Sequence, residues 1–153
     1  LELYSMWDAV CTKDWGRLQN ICTARLKERM PGFQRAQVGY CLGLAYDSQD
    51  QIIPAINAYN IAMTADTGAS EDLAKNAAIN SMRLYKKDPE VQTAIKLWGT
   101  PDENPNSAGH QRLLEAAALA KLYELSVGGG TPLPAEHKDL LKYAPKSAES
   151  AGN

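Results

Sequence analysis

Three cysteines, two histidines and the acidic pair Asp102-Glu103 are the side chains in this sequence best suited to covalent, metal or acid–base chemistry. Cys11, Cys22 and Cys41 form no C-x-x-C pair, and no histidine lies at ligand spacing from them. Each falls within an apolar helical pattern, so the expectation is a small buried hydrophobe. A Cys11–Cys22 disulfide stays open, but an odd count excludes a fully paired framework within one chain. His110 and His137 are distant in sequence and sit beside helix starts, where an exposed or capping role is expected. Asp102-Glu103 lies in a linker with no visible partner for a general acid/base pair. The stretch VGGGTP (127–132) follows a helix and lacks the lysine of a phosphate loop, so it reads as a flexible turn. The expectation is no enzyme, no cofactor and no metal.

Recognition chemistry is better represented. Asn76, Asn80, Arg83 and Lys87 step by four, three and four residues and so share one helix face. Asparagine amides offer a donor and an acceptor to an extended peptide backbone. Arg83 and Lys87 are suited to holding a carboxylate. A second reading makes this stripe simply a solvated face, with Lys86 and Lys87 answering the helix C-terminal dipole. Arg25, Lys27, Arg29 and Arg35 form a local basic cluster at another helix end. The net charge of −2 supplies no general attraction to nucleic acid, and none is expected as partner. No apolar run approaches the ~18 residues of a membrane span.

The elements that must position these residues are helical. Strict period-two alternation is absent, and helical periodicity dominates. The pattern predicts helices at about 1–11, 14–30, 33–47, 50–66, 70–87 and 89–99. A polar linker follows at 100–109, then helices at about 110–126 and 135–143. Asp14, Ser70 and Asp88 are expected N-caps, Asp88 being followed by Pro89 at the first helical position. Pro31-Gly32, Thr67-Gly68 and Gly99 are expected stops. The whole of 1–144 is expected to form one domain, with 145–153 a disordered tail.

Pairing the helices into hairpins exposes a repeat. Ala9, Tyr46, Tyr85 and Tyr123 fall near the ends of alternate helices, 37, 39 and 38 residues apart. In the intervening helices, Trp15-x-x-Leu18-x-x-x-Cys22 aligns with Ile52-x-x-Ala55-x-x-x-Tyr59 and with Val91-x-x-Ala94-x-x-x-Trp98. Gly43 and Ala55 are expected to be small so that two helices approach closely. Tyr46 and Tyr59 are expected to fill the space between one hairpin and the next.

At Leu42-Gly43-x-x-Tyr46, Ala55, Tyr59 and Ala62 the chain resembles the tetratricopeptide repeat (TPR). Met6, Ala9 and Met82 depart from that motif, and the period exceeds the family's usual ~34 residues. LAKLYELSVGGGTPLP (119–134) resembles the longer Sel1-like repeat. The resemblance implies an all-α solenoid of stacked antiparallel hairpins, about three repeats plus a degenerate C-terminal capping unit. It further implies a concave groove lined by the first helix of each pair. Carried over by position, the groove residues are Leu3, Tyr4 and Trp7; Gln37, Tyr40, Leu44 and Asp47; and Asn76, Ile79, Asn80, Arg83 and Lys87. Such a groove, aromatic at one end and basic at the other, suits an extended protein or peptide segment with a hydrophobic anchor and an acidic residue or free carboxylate.

The function expected is therefore a protein-binding module acting as adaptor or assembly factor. The alternative is a structural subunit whose apolar edges, Trp7 and Trp98 among them, are buried in an oligomer. Three unpaired cysteines favour a reducing cytoplasm. The start at Leu1 rather than Met points to a trimmed piece. A removed leader would instead suit a bacterial periplasmic or secreted protein, whose flavour GGGTPLPAEHKDLL has.

Overall fold

A computed structural model describes residues 2–65 and 71–145. They are all-α, with no strand among them. The helices are α1 (Glu2–Cys11), α2 (Trp15–Arg25), α3 (Gly32–Ser48), α4 (Ile52–Thr64), α5 (Glu71–Lys87), α6 (Pro89–Leu97) and α7 (Ala108–Leu122). One π-helical turn, Tyr123–Val127, continues α7, and a 3-10 helix spans Ala135–Tyr143. The expected Thr67-Gly68 stop and Ser70 cap lie outside the described residues, as does the expected disordered tail apart from Pro145. Two compact units, residues 1–81 and 82–153, divide the chain within α5.

Local chemistry sets most boundaries. The Asp14 carboxylate accepts from the Arg17 backbone N–H at 3.2 Å and starts α2. Asp88 accepts from the Glu90 N–H at 3.0 Å, with Pro89 at the first position of α6. Pro54 sits third in α4, where its missing N–H has no intrahelical acceptor to lose. Helix α2 stops five residues before the expected end at 30. The Arg35 guanidinium, arriving from α3, donates to the Leu26 carbonyl at 3.1 Å and supplies the partner that another helical turn would have supplied.

In the first unit, α1, α2, α3 and α4 pack consecutively, each against the next. Met6 and Ala9 of α1, Leu18 and Cys22 of α2, Val38, Cys41, Leu42 and Ala45 of α3, and Ala58 of α4 form one buried cluster. Removing a side chain such as Leu18 from water contributes about 1.5–3 kcal/mol. Tyr46 packs against this shared cluster. Tyr59 behaves differently from expectation. Its ring lies over Gly43 of its own hairpin, so close that a Cβ there would stand 2.5 Å from it. A Cβ on Gly39 would stand 2.7 Å from Ile61. Both glycines are spaces for α4 side chains.

In the second unit, α6 and the 3-10 helix both pack on α7. Gly109 meets the Glu90 carbonyl so closely that no Cβ fits. Arg112 clasps the same junction. Its Nε donates to Asp88 and its Nη2 to Glu90, each at 2.6 Å. Leu84, Tyr85, Val91, Leu113, Tyr123 and Leu140 are among the buried side chains of this core. The Tyr85 hydroxyl donates to Glu115 at 3.2 Å.

Candidate functional site

Helices α3 and α5 each bring two kinds of side chain to the first unit: small ones for the core and polar or aromatic ones for the surface. On α3, Val38, Gly39, Cys41 and Leu42 are buried, while Gln37, Tyr40 and Leu44 are half-buried. On α5, Ala77 and Ala78 are buried, Asn76 is exposed, and Ile79 and Asn80 are half-buried. Two predicted site residues meet here. The Asn80 side-chain amide donates to the Tyr40 hydroxyl at 3.5 Å. The Tyr40 ring is in turn braced by Tyr59, with centroids 5.6 Å apart and planes tilted by 57°. Burial, foremost, pushes the Tyr40 phenol above its ordinary value, so the hydroxyl stays protonated at neutral pH. Asp47 accepts from the Tyr59 hydroxyl at 3.1 Å and is half-buried.

Other predicted residues lie elsewhere. Tyr4 and Trp7 are exposed on α1, at 80% and 47%, and with Asp8 and Cys11 line a depression of about 420 Å³. The side chain of Leu3 lies outside the described ones. Arg83 and Lys87 are exposed on the part of α5 that belongs to the second unit. Lys86, beside them, is bonded to the 3-10 helix through the Glu136 carbonyl and the Asp139 carboxylate.

Some expectations about reactive residues hold and others are overturned. All three cysteines are free, so no Cys11–Cys22 bond exists. Cys22 and Cys41 are buried as expected, and burial pushes their thiols up to about 12 and about 11. Cys11 is exposed, because α1 turns Met6 and Ala9 inward and Cys11 falls off that face. Neither histidine is exposed: His110 and His137 are 6% and 5% accessible. Glu103 does have a partner. One of its oxygens meets His110 Nε2 at 3.1 Å and the other accepts the Gly99 N–H at 2.7 Å. That backbone bond and then the histidine hold the carboxyl below its usual value. Trp98 is not an exposed edge. It stacks on His110 with centroids 5.1 Å apart and planes 16° apart, and it meets Tyr143 edge-on at 4.9 Å.

This cluster borders a cavity of about 460 Å³ between α6, the 99–107 linker and the start of α7. A Ser107 cap, accepting the His110 backbone N–H at 3.1 Å, sets the ring's position. The sequence signal available was the serine three residues before His110, which fixes that residue in the first turn of α7. The return of the linker to bring Glu103 back onto it is tertiary. Among the described residues no group of three metal-ligating side chains occurs, and no helix is long and apolar enough to cross a membrane. No protein-family model matches the chain, and comparisons with characterised proteins and with solved structures likewise give no match.

Proposed function

We propose that the chain is a helical-repeat protein of TPR-like or Sel1-like build whose first unit binds an extended segment of another protein along α3 and α5. The repeat reading is supported by burial at both registers. Ala9, Tyr85 and Tyr123 are buried and Tyr46 packs on the core. Leu18, Cys22, Ala55, Tyr59, Val91 and Ala94 are all buried as well. Two adjacent hairpins, α1–α2 and α3–α4, share a single hydrophobic cluster, which is the arrangement that makes stacking favourable.

The observation that carries the binding proposal is the Tyr40–Asn80 contact. It joins a braced aromatic ring to a side-chain amide from a second helix on a half-exposed surface. At 3.5 Å the bond is long, so the Asn80 amide exchanges it for a peptide carbonyl at low cost. Gln37 and Asn76 offer further amide groups beside it. Leu44 supplies apolar area for a hydrophobic anchor.

The test is a random-peptide display selection on the whole chain, followed by affinity measurement on the recovered peptides. Asn80→Ala is expected to weaken binding by about fivefold or more, with melting temperature little changed, whereas Tyr40→Phe, which removes the group the Asn80 amide must leave, is expected not to weaken it. Peptides whose affinity ignores Asn80→Ala would overturn the proposal. Arg83→Ala and Lys87→Ala, assayed in parallel, ask whether an acidic group on the peptide is read by α5 as well.

A further inference from the structure

The end of α7 carries an apolar patch that lies wholly within the second unit, apart from the proposed peptide surface. Leu122, the last residue of the helix, is 48% accessible, and Leu125, in the π-helical turn that follows, is 73% accessible. Ala118, one helical turn before Leu122, is exposed as well. A single exposed leucine is ordinary, but two beside an exposed alanine at one helix end make a patch.

The turn that presents them is built, not loose. Tyr123, between the two leucines in sequence, is 1% accessible. The Gly128 N–H donates to the Tyr123 carbonyl at 2.9 Å and closes the π turn. A Cβ on Gly128 would stand 2.7 Å from the Tyr123 ring and 2.8 Å from the Thr131 carbonyl oxygen. The buried ring and the glycine packed on it pin the backbone, so Leu122 and Leu125 are held outward on a fixed support.

The charges around the patch say what covers it. Lys121 precedes Leu122, and Glu124 precedes Leu125. Both are exposed, and neither makes an ion pair or side-chain hydrogen bond with any described residue. An acidic partner would repel Glu124, and a basic one would repel Lys121. A second copy laid antiparallel suits both. A two-fold axis sets Leu122 of one copy toward Leu125 of the other, and it brings each Lys121 toward Glu124 of the other copy.

We infer that the end of α7 is a self-association surface, on which two copies of this chain pair antiparallel with their leucines between them and Lys121 facing Glu124 across the axis. Two leucines and an alanine from each copy are far fewer than the ~20 residues a side of a stable interface. The pair is therefore weak and reversible, forming on the order of 100 μM.

Sedimentation velocity on the whole chain at low salt, from about 20 μM to about 1 mM, tests this. The mass should rise toward twice that of one chain. Leu125→Glu should hold it at one chain, and because Leu125 is exposed that variant keeps the fold. Lys121→Glu and Glu124→Lys should each weaken pairing by about threefold or more. Combined in one chain they should restore it, since opposite charges again meet across the axis. A chain that stays monomeric at the highest concentration, pairing that survives Leu125→Glu, single charge variants that leave pairing unchanged, or a double variant that fails to restore it would each overturn the inference.

Discussion

Arg112 shows how one side chain sets a junction between helices. Its guanidinium meets Asp88, whose side chain is 6% accessible, and Glu90, which is largely exposed. Arg112→Ala would leave the Asp88 carboxylate buried beside a helix start with its strongest partner gone. We expect a loss of about 2–3 kcal/mol in urea unfolding, and Arg112→Lys should recover less than half of it because one ammonium cannot bridge both acids. A loss under ~0.5 kcal/mol would show the clasp to be incidental. The thiols give a second reading at this scale. Native protein treated with iodoacetamide near neutral pH should take one adduct, at Cys11, and all three cysteines should react once it is unfolded. Rapid labelling of Cys22 or Cys41 would contradict their burial. The residues that escaped sequence reasoning are those whose partners arrive through space. Neither Glu103 nor Trp98 stands at a spacing that announces His110. The link depends on the 99–107 linker folding back, which no helical period encodes.

Among the elements, helix type and most boundaries were legible because caps, prolines and glycines are local signals. Asp14 and Asp88 each act on an N–H two or three residues onward, while the Ser107 cap, which starts α7 inside the expected linker, was not read. The end of α2 was not legible, since it depends on Arg35 from the next helix. Gly43 was read as a close-approach position, but not the ring that fills the space, and Gly39 was not singled out. Gly43→Ala is expected to cost about 1–3 kcal/mol by forcing Tyr59 aside. Gly16→Ala, on α2 with open space at the Cβ position, should instead stabilise by about 0.4–1 kcal/mol. Thermal unfolding of the two variants should move in opposite directions; a shared direction would contradict the packing described. The 3-10 helix carries a pH signature. Burial and then the Lys86 charge hold His137 below its ordinary value, so the folded state disfavours its protonation. Its contribution is therefore complete above the ordinary histidine value of about 6.5 and is lost as the pH falls below it. His137→Gln should show a smaller fall in melting temperature between about pH 7.5 and about pH 5.5 than the parent chain. An identical fall in both would remove His137 from the account.

For the molecule as a whole, the functional proposal rests on surfaces. Two of them differ in kind. Along α3 and α5 lie amides and a braced phenol, suited to a backbone. Between α6 and α7 lies a partly apolar hollow bordered by Glu90, Asp102 and Glu103. The proposed repeat assigns the α3 and α5 positions an expected face, whereas the 99–107 linker lies outside the helices of that repeat. Tyr4 and Trp7, carried over by position, are both exposed and line a depression on α1. The most direct measurement is amide and side-chain NMR mapping of a display-selected peptide on the whole chain. The account predicts perturbations concentrated at Gln37, Tyr40, Asn76 and Asn80, with the Asn80 side-chain amide among the most displaced. Perturbations gathered instead on α1 around Trp7, with the Tyr40 and Asn80 signals unmoved, would contradict it.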